Sequence, residues 1–529
     1  MRHGAAKTVP CLKFGPYIFG VKKKTPTRTA EIIAYQPALR PALPCVFGPV
    51  EFREYRDQLV QIDALLLAGG IEADFLRAAR AAHAAELQGA TAKTLQHFAR
   101  SSALALRCTV ARAITGLSLR EFTVRCADSS LLQWFLGLGE VDRVKAPGKS
   151  TVERFSKWVG AETMAQIHRR LVAQAVSPAG AGTPQPLGLT EPVDATEVFL
   201  DSTCLKANIH FPVDWVLLRD GVRTLMKATK LIRREGLKRR MPQEPLGFLR
   251  DINQLAMAMS AGGRRPDAKK WRKRTLRQMK VLERTIMRHA QAHRELLARR
   301  WAETAWSEKQ AQAILRRLDG VLAQLPAAIA QAHERIIGER PVRNADKILS
   351  LYEPEVEVLK RGKAGADVEF GNKLWLGETR AGLIVDFALL PEAKADTALV
   401  LPAVDRLVKG QQIKVACVWG DRGLFSQANT TGLAKRGLQS GLCPRDPAEL
   451  QQRLAADDGF RAGLRRRGGL EARIAILKQV FIGSPCLAKG FAHRALAVSW
   501  AVLAHNLWVL GRLKLRQDRQ NAPPVAKAA

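Results

Sequence analysis

The alternation of apolar and polar residues changes period several times along the chain. From about residue 50 to 178 apolar residues recur every three to four positions, as in "EADFLRAARAAHAAEL", the spacing of helices with one buried face. Within this stretch "SLREFTVRCADSSLLQWFLGL" predicts two short helices. "GKSTVERFSKWVG" predicts a third, capped near Ser150 or Thr151 and stopped at Gly160. Such a series suits a helix-turn-helix or an ordinary helical bundle. The period shifts at "TEVFLDSTCLKANI" (196–209), whose β-branched and aromatic residues predict a strand around Asp201. Residues 215–340 are helical again. "ADVEFGNKLWLGET" and "AGLIVDFALL" then predict a hairpin joined near Arg380–Gly382. "ADTALVLPAVDRLVKG" predicts a helix disturbed at Pro402, and "KVACVW" a buried strand ending at Trp419. A helix in "SQANTTGLAKRG", a strand in "SGLCPR" and further helices follow, with a break expected at Gly468-Gly469. The closing "RALAVSWAVLAHNLWVLGRLKL" reads as an apolar helix packed on the core, too short and too polar at His505 and Asn506 to span a membrane.

This order predicts an α/β protein, a mixed sheet flanked by helices and interrupted by a large helical insertion. Composition divides it further. Residues 1–47 carry Pro, Gly and the cluster Lys22-Lys23-Lys24, and read as an irregular basic arm. Residues 48–178 form a helical N-terminal region, and "SPAGAGTPQPLGLTEPV" (177–193) is a linker by composition. Residues 190–231 and 341–510 form the core, 232–340 a basic helical insertion, and 511–529 a tail.

Charge changes the picture most. Lys and Arg number 84 against 49 Asp and Glu, a net charge of +35. Such a surplus speaks of partners, and nucleic acid is the commonest one, because its phosphates release counterions when cations bind them. A basic membrane-surface protein is the weaker reading. No run of 18 or more uncharged apolar residues occurs, and the first residues lack an apolar signal region. The eight cysteines are widely spaced with no C-x-x-C pair, which argues against a zinc site or disulfide framework and predicts a reducing, cytoplasmic setting.

Three acids stand out in the core: Asp201 in the first strand, Asp421 directly after "VWG", and Glu471 on a late helix. Carboxylates from several rigid elements are what a two-metal phosphoryl-transfer site needs. On the late helix Leu470, Ile474, Leu477 and Phe481 form an apolar stripe, with Glu471 and Lys478 together at its edge. Arg467 joins them if the helix runs through the glycine pair.

Over roughly residues 100–510 the chain resembles bacterial insertion-sequence transposases of the Asp-Asp-Glu type, in particular the ISNCY-like group. "LDSTCLKANIHFPVDWVLLRDGVRTL" resembles the region of the first Asp, and "GDRG" the second-Asp motif. Arg467, Glu471 and Lys478 fit Arg-x3-Glu-x6-Lys, while Leu464 stands where related signatures carry a tyrosine. The resemblance implies an RNase H-like catalytic core and an N-terminal DNA-binding region. It implies DNA cleavage and strand transfer at element ends, with Asp201, Asp421 and Glu471 holding two Mg²⁺ ions, for which Mn²⁺ can substitute. It also implies double-stranded DNA as partner, a homodimer or larger assembly on DNA, no membrane association, and a place in the bacterial cytoplasm at the nucleoid.

Each residue has an ordinary alternative. Asp201 and Asp421 could be strand-end or turn acids, Glu471 a solvated helix acid, with Glu449 and Asp457 as competitors. His210 and Asp214 read as structural or positioning residues, and His505 as a core histidine. Arg467 and Lys478 are candidates for DNA contact. So are Lys360, Arg361 and Lys363, expected on a loop, and Lys269, Lys270 and Arg272 of the insertion, where Lys273, Arg274, Trp271 and Trp301 also lie. Two rival functions share these features: an RNase H-like nuclease that cuts without joining, and a decayed transposase that only binds or regulates DNA.

Overall fold

The computed structural model describes residues 40–139, 143–180, 183–261, 266–363 and 366–521. Most of the expected arm, including Lys22-Lys23-Lys24, lies outside the described residues. At the centre is a six-stranded mixed sheet: β1 (Glu197–Lys206), β2 (Glu357–Lys363), β3 (Ala366–Thr379), β4 (Ile384–Leu389), β5 (Cys417–Gly420) and β6 (Gln439–Leu442). Its order is β2-β3-β1-β5-β6, with β4 also paired to β3. The β1–β3, β2–β3 and β3–β4 pairs are antiparallel, and β1–β5 and β5–β6 parallel. The hairpin of β3 and β4 turns at Arg380–Gly382 as the alternation predicts.

Both faces of β1 are covered, and side-chain alternation divides them. Val198 and Leu200 enter one apolar cluster with Trp375, Val418 and residues of the N-terminal helices. Phe199 and Leu205 enter another, with Leu376, Trp419, Phe460, Leu470, Ile474 and Leu477. Asp201 and Thr203 lie between Phe199 and Leu205 on this second face, the one that faces the helix Asp458–Ile476. The closing helix Phe491–Asn521 supplies residues to both clusters. With 31 residues it is longer than expected. By length and composition it could cross a membrane, but 72% of its most apolar window is buried inside the protein. The length argument against spanning therefore fails, and burial is what argues for a core helix.

The insertion is built from four long helices, Asp214–Arg234, Pro245–Ala261, Ala268–Arg300 and Glu308–Ala332; it starts at Asp214 and not at 232, because Leu218, Val222 and Leu225 of the first helix pack with the other three. It has an apolar core of its own, including Leu225, Ile252, Ile286 and Leu325. Asp214, buried at its base, accepts from Arg335 at 2.9 Å and Gln331 at 2.9 Å. This ties the first insertion helix to the last and gives Asp214 a structural role.

Local expectations fail in three places. The helix Lys149–Phe155 starts one residue earlier than Ser150 and takes Gly148 as its cap residue; Gly160 instead precedes the next helix, Ala161–Val176. Lys360, Arg361 and Lys363 lie in strand β2, not on a loop. Lys and Gly are poor strand formers, but β2 ends the sheet, where such residues protect an edge from mispairing. The third is the glycine pair: Gly468 and Gly469 lie inside one unbroken helix, Asp458–Ile476.

Candidate nucleic-acid processing site

Residues 220 positions apart meet through the parallel pairing of β1 with β5. Phe199 pairs with Trp419. Two residues further along each chain stand Asp201 and Asp421, so both acids sit at one level of neighbouring strands. Asp421 follows the end of β5, and its Oδ1 accepts from the Leu424 N–H at 3.1 Å, which fixes the turn. Asp421 is thus a turn former, as its ordinary reading has it, and its charge also reaches Asp201.

The electrostatics bind the set together. The Asp201 carboxyl is pushed up to about 6, first by burial and then by the negative charge of Asp421. Glu471 pushes the same way, while the Ser202 N–H (2.6 Å) and Arg467 oppose it. Glu449 and Asp457 have other places. Glu449 lies in the first turn of the helix Pro447–Ala456, and Asp457 caps the next helix through the Phe460 N–H at 2.8 Å.

The unbroken helix brings Arg467 and Glu471 one turn apart, with the guanidinium donating to Oε1 at 3.5 Å. The Glu471 side chain is 65% exposed, that of Arg467 only 20%. Lys478 lies in a wider π-helical turn, Leu477–Ile482, and donates to Thr203 Oγ1 at 3.2 Å. It therefore reaches β1 two residues from Asp201, on the same face. Asp201, Asp421, Glu471, Arg467 and Lys478 thus converge. Lys269, Lys270 and Arg272 do not belong to this group; they lie on the insertion helix Ala268–Arg300. Lys360 is exposed on β2.

Several residues that hold the site carry no obvious sequence signal. Glu378 of β3 is fully buried opposite Phe199 and is paired with Arg466 at 3.0 Å and Arg473 at 3.3 Å. Burial raises its carboxyl and the two guanidinium groups oppose the rise. Arg466 also lies over the Phe199 ring, 5.0 Å from its centroid. Arg466 and Arg473 flank the glycine pair, so the sheet grips the helix on both sides of its weakest point. Trp419 stacks on Phe199 at 6.0 Å and 11°. Its indole fits a slot that Gly441 and Gly463 leave open: a Cβ at Gly463 would come within 2.1 Å of it. Glu378 itself, next to Thr379 and Arg380 at the hairpin turn, reads in the sequence as an ordinary polar strand end.

The donor set is hard carboxylate oxygen, which suits Mg²⁺ or Mn²⁺. Burial is the larger cause of the raised Asp201 carboxyl, and the like charges of Asp421 and Glu471 add a part that a bound cation would relieve. Among the described residues, however, no group of three or more His, Cys, Asp or Glu side chains forms a cage for a metal ion. The acids share a field without closing a shell. No protein-family model matches the chain, and no curated protein or solved structure matches it either.

Proposed function

We propose that the chain is a DNA-processing enzyme of the Asp-Asp-Glu transposase type, which cuts DNA at element ends and joins them to a target. One observation carries the reading: the parallel pairing of β1 with β5 brings Asp201 and Asp421 to neighbouring positions, and the charge of Glu471 from a distant helix joins theirs. The sheet supports it. Antiparallel β4-β3-β1 followed by parallel β5 and β6 is the order and direction of an RNase H-like core. The helical insertion between β1 and β2 and the helices before β1 would be the added DNA-holding parts.

Asp201, Asp421 and Glu471 would hold divalent metal, with water and substrate phosphate completing the shell. When bound, such ions make a nucleophile from water and stabilise the leaving oxygen of an in-line displacement. The chain's own contribution is positional. The β1–β5 pairing fixes two carboxylates on rigid strands, and the Glu378 pairs hold the helix that presents the third. Arg467 offsets part of the acid charge and would also meet a substrate phosphate.

The test uses the full chain with plasmid DNA carrying the sequences that flank its reading frame. The parent should nick the plasmid in Mg²⁺. Glu471→Gln should not, while its gel shift stays unchanged or tightens, because one repulsive charge is gone. Lys478→Ala should slow cutting without abolishing it, since a phosphate contact positions but does not activate. Cutting by Glu471→Gln at the parental rate would move the third acid elsewhere. Binding without any cutting by the parent would favour a DNA-binding protein with a decayed site. Strand transfer from pre-cut ends separates a transposase from a nuclease that only cuts.

A further inference from the structure

The first insertion helix, Asp214–Arg234, carries a row of exposed cations. Arg223, Lys227, Lys230 and Arg234 follow one another by four, three and four residues, so they share one helix face. All four are exposed, and among the described residues none makes an ion pair or hydrogen bond. The row spans about 16 Å at the usual helical rise. Two carboxylates, Asp220 and Glu353, line the cleft at the end of the row, and both have cation partners, Glu353 being paired with Arg494. Asp220, one turn before Arg223, is half-buried and engaged with Arg219 at 3.1 Å.

At its inner end the row opens into a cleft of about 480 Å³. Arg223 and Lys227 line it, together with Asn208, His210, Phe211 and Tyr352. Phe211 is 72% exposed and Tyr352 51% exposed, unusual for aromatic side chains beside a concavity. Phe211 is held edge-on to Phe370 at 5.6 Å, and the Tyr352 hydroxyl shares a hydrogen bond with Thr224 at 2.6 Å, so both rings are braced. Lys489 adds a further cation to the lining. The cleft begins at Asn208, seven residues beyond Asp201 and on the order of 20 Å away along an extended chain.

We propose that this face is a track for a DNA strand: the phosphates lie along Arg223, Lys227, Lys230 and Arg234, and an unpaired nucleotide of the same strand enters the cleft between Phe211 and Tyr352. Exposed braced aromatics beside a line of unpaired cations are the two parts that single-strand binding combines, stacking for the base and charge for the backbone. The proposal rests on the DNA-processing reading and adds where the strand leaves the acids and in what form.

The experiment measures binding of the full chain to two labelled duplexes of one sequence, one blunt and one with a short single-stranded overhang, over a range of salt. The parent should prefer the overhang by about tenfold, in keeping with one stacked base. Replacing Arg223, Lys227, Lys230 and Arg234 by Ala should lower the log–log salt slope by roughly 3, at 0.7 to 0.9 per lost phosphate contact. Phe211→Ala should abolish the overhang preference and leave the slope unchanged. These positions are exposed, so melting temperature should hold and serves as the folding control. An unchanged slope in the fourfold variant would remove the track, and equal affinity of the parent for both duplexes would remove the cleft. Failure of the parent to bind either duplex would instead overturn the DNA reading itself.

Discussion

At the scale of single residues, Asp201 carries the most specific consequence. Its carboxyl is raised from 3.8 to about 6 by burial and by the charges of Asp421 and Glu471. The folded state therefore keeps this proton to higher pH than the unfolded chain. Between about pH 4 and 6 folding binds a proton, so stability falls as pH rises, and the loss is complete above the folded value. At about 1.4 kcal/mol per pH unit the loss is on the order of 2–3 kcal/mol at pH 7. Asp201→Asn removes the charge and keeps an oxygen for the Ser202 N–H. It should melt higher than the parent at pH 7 and nearly equally at pH 4, by thermal melts across that range. MgCl₂ should raise the melting temperature of the parent at pH 7 but not that of Asp201→Asn, because only the parent gains a bound ion. Equal melting of the two proteins at pH 7 would show that neither burial nor the neighbouring acids raise the Asp201 carboxyl. Asp201 was legible in the sequence because it interrupts an apolar strand, and Asp421 because it directly follows one, conflicts that local pattern exposes. Glu378 stands at the polar end of β3, beside Thr379 and the hairpin turn, and its Arg466 and Arg473 partners are set by a helix crossing that local pattern does not encode.

At the scale of elements, the helix Asp458–Ile476 decides whether the third acid is in place. A glycine pair predicts a break because each glycine costs about 1 kcal/mol of helix propensity. The break does not form. Arg466 and Arg473, one before the pair and one after, are both paired with Glu378, and Leu470 and Ile474 are buried against the sheet. Tertiary contacts outweigh the local preference. The same reasoning separates two glycines of this helix. Gly468 has open space where a Cβ would go, so Gly468→Ala should stabilise by about 0.5–1 kcal/mol and leave cutting intact. Gly463 lies against the Trp419 indole, so Gly463→Ala must move the ring or the helix, at a cost of about 1–3 kcal/mol. Because Trp419 leads directly into Asp421, Gly463→Ala should also reduce cutting. Urea melts and plasmid nicking on the same preparations compare the two. A stabilising Gly463→Ala would mean that the slot is not tightly filled. Strand β2 escaped the sequence reading for the complementary reason: its Lys-Arg-Gly-Lys composition suits solvent, and only the hydrogen-bonding partner β3 makes it a strand.

At the scale of the whole molecule, a positive surplus of 35 charges does not say which cations face a partner. The structure divides those of the insertion helix Ala268–Arg300 into two kinds. Arg272 lies over the Trp215 ring at 5.3 Å, and Lys273 is paired with Glu339 at 2.8 Å, which also receives Lys269 at 3.2 Å. These are internal ties. Trp271 donates to the Ala258 carbonyl at 3.1 Å, and Trp301 packs on the insertion core, so neither serves as an open stacking surface. Lys270, Arg274 and Arg277, by contrast, are exposed along one helix face and, among the described residues, have no ion pair. Charge alone could not make this distinction, because it depends on which residues Trp215 and Glu339 happen to reach. The two kinds should respond differently when DNA binding is measured against salt. Replacing Lys270, Arg274 and Arg277 with Ala should lower the log–log slope by up to about 2.7, roughly 0.9 for each lost phosphate contact, with melting temperature unchanged. Arg272→Ala should leave the slope in place and lower stability by about 1 kcal/mol, the worth of a partly buried cation–π contact. If the threefold variant keeps the parental slope, the insertion holds the molecule or a second subunit together, and the phosphate contacts lie on other helices.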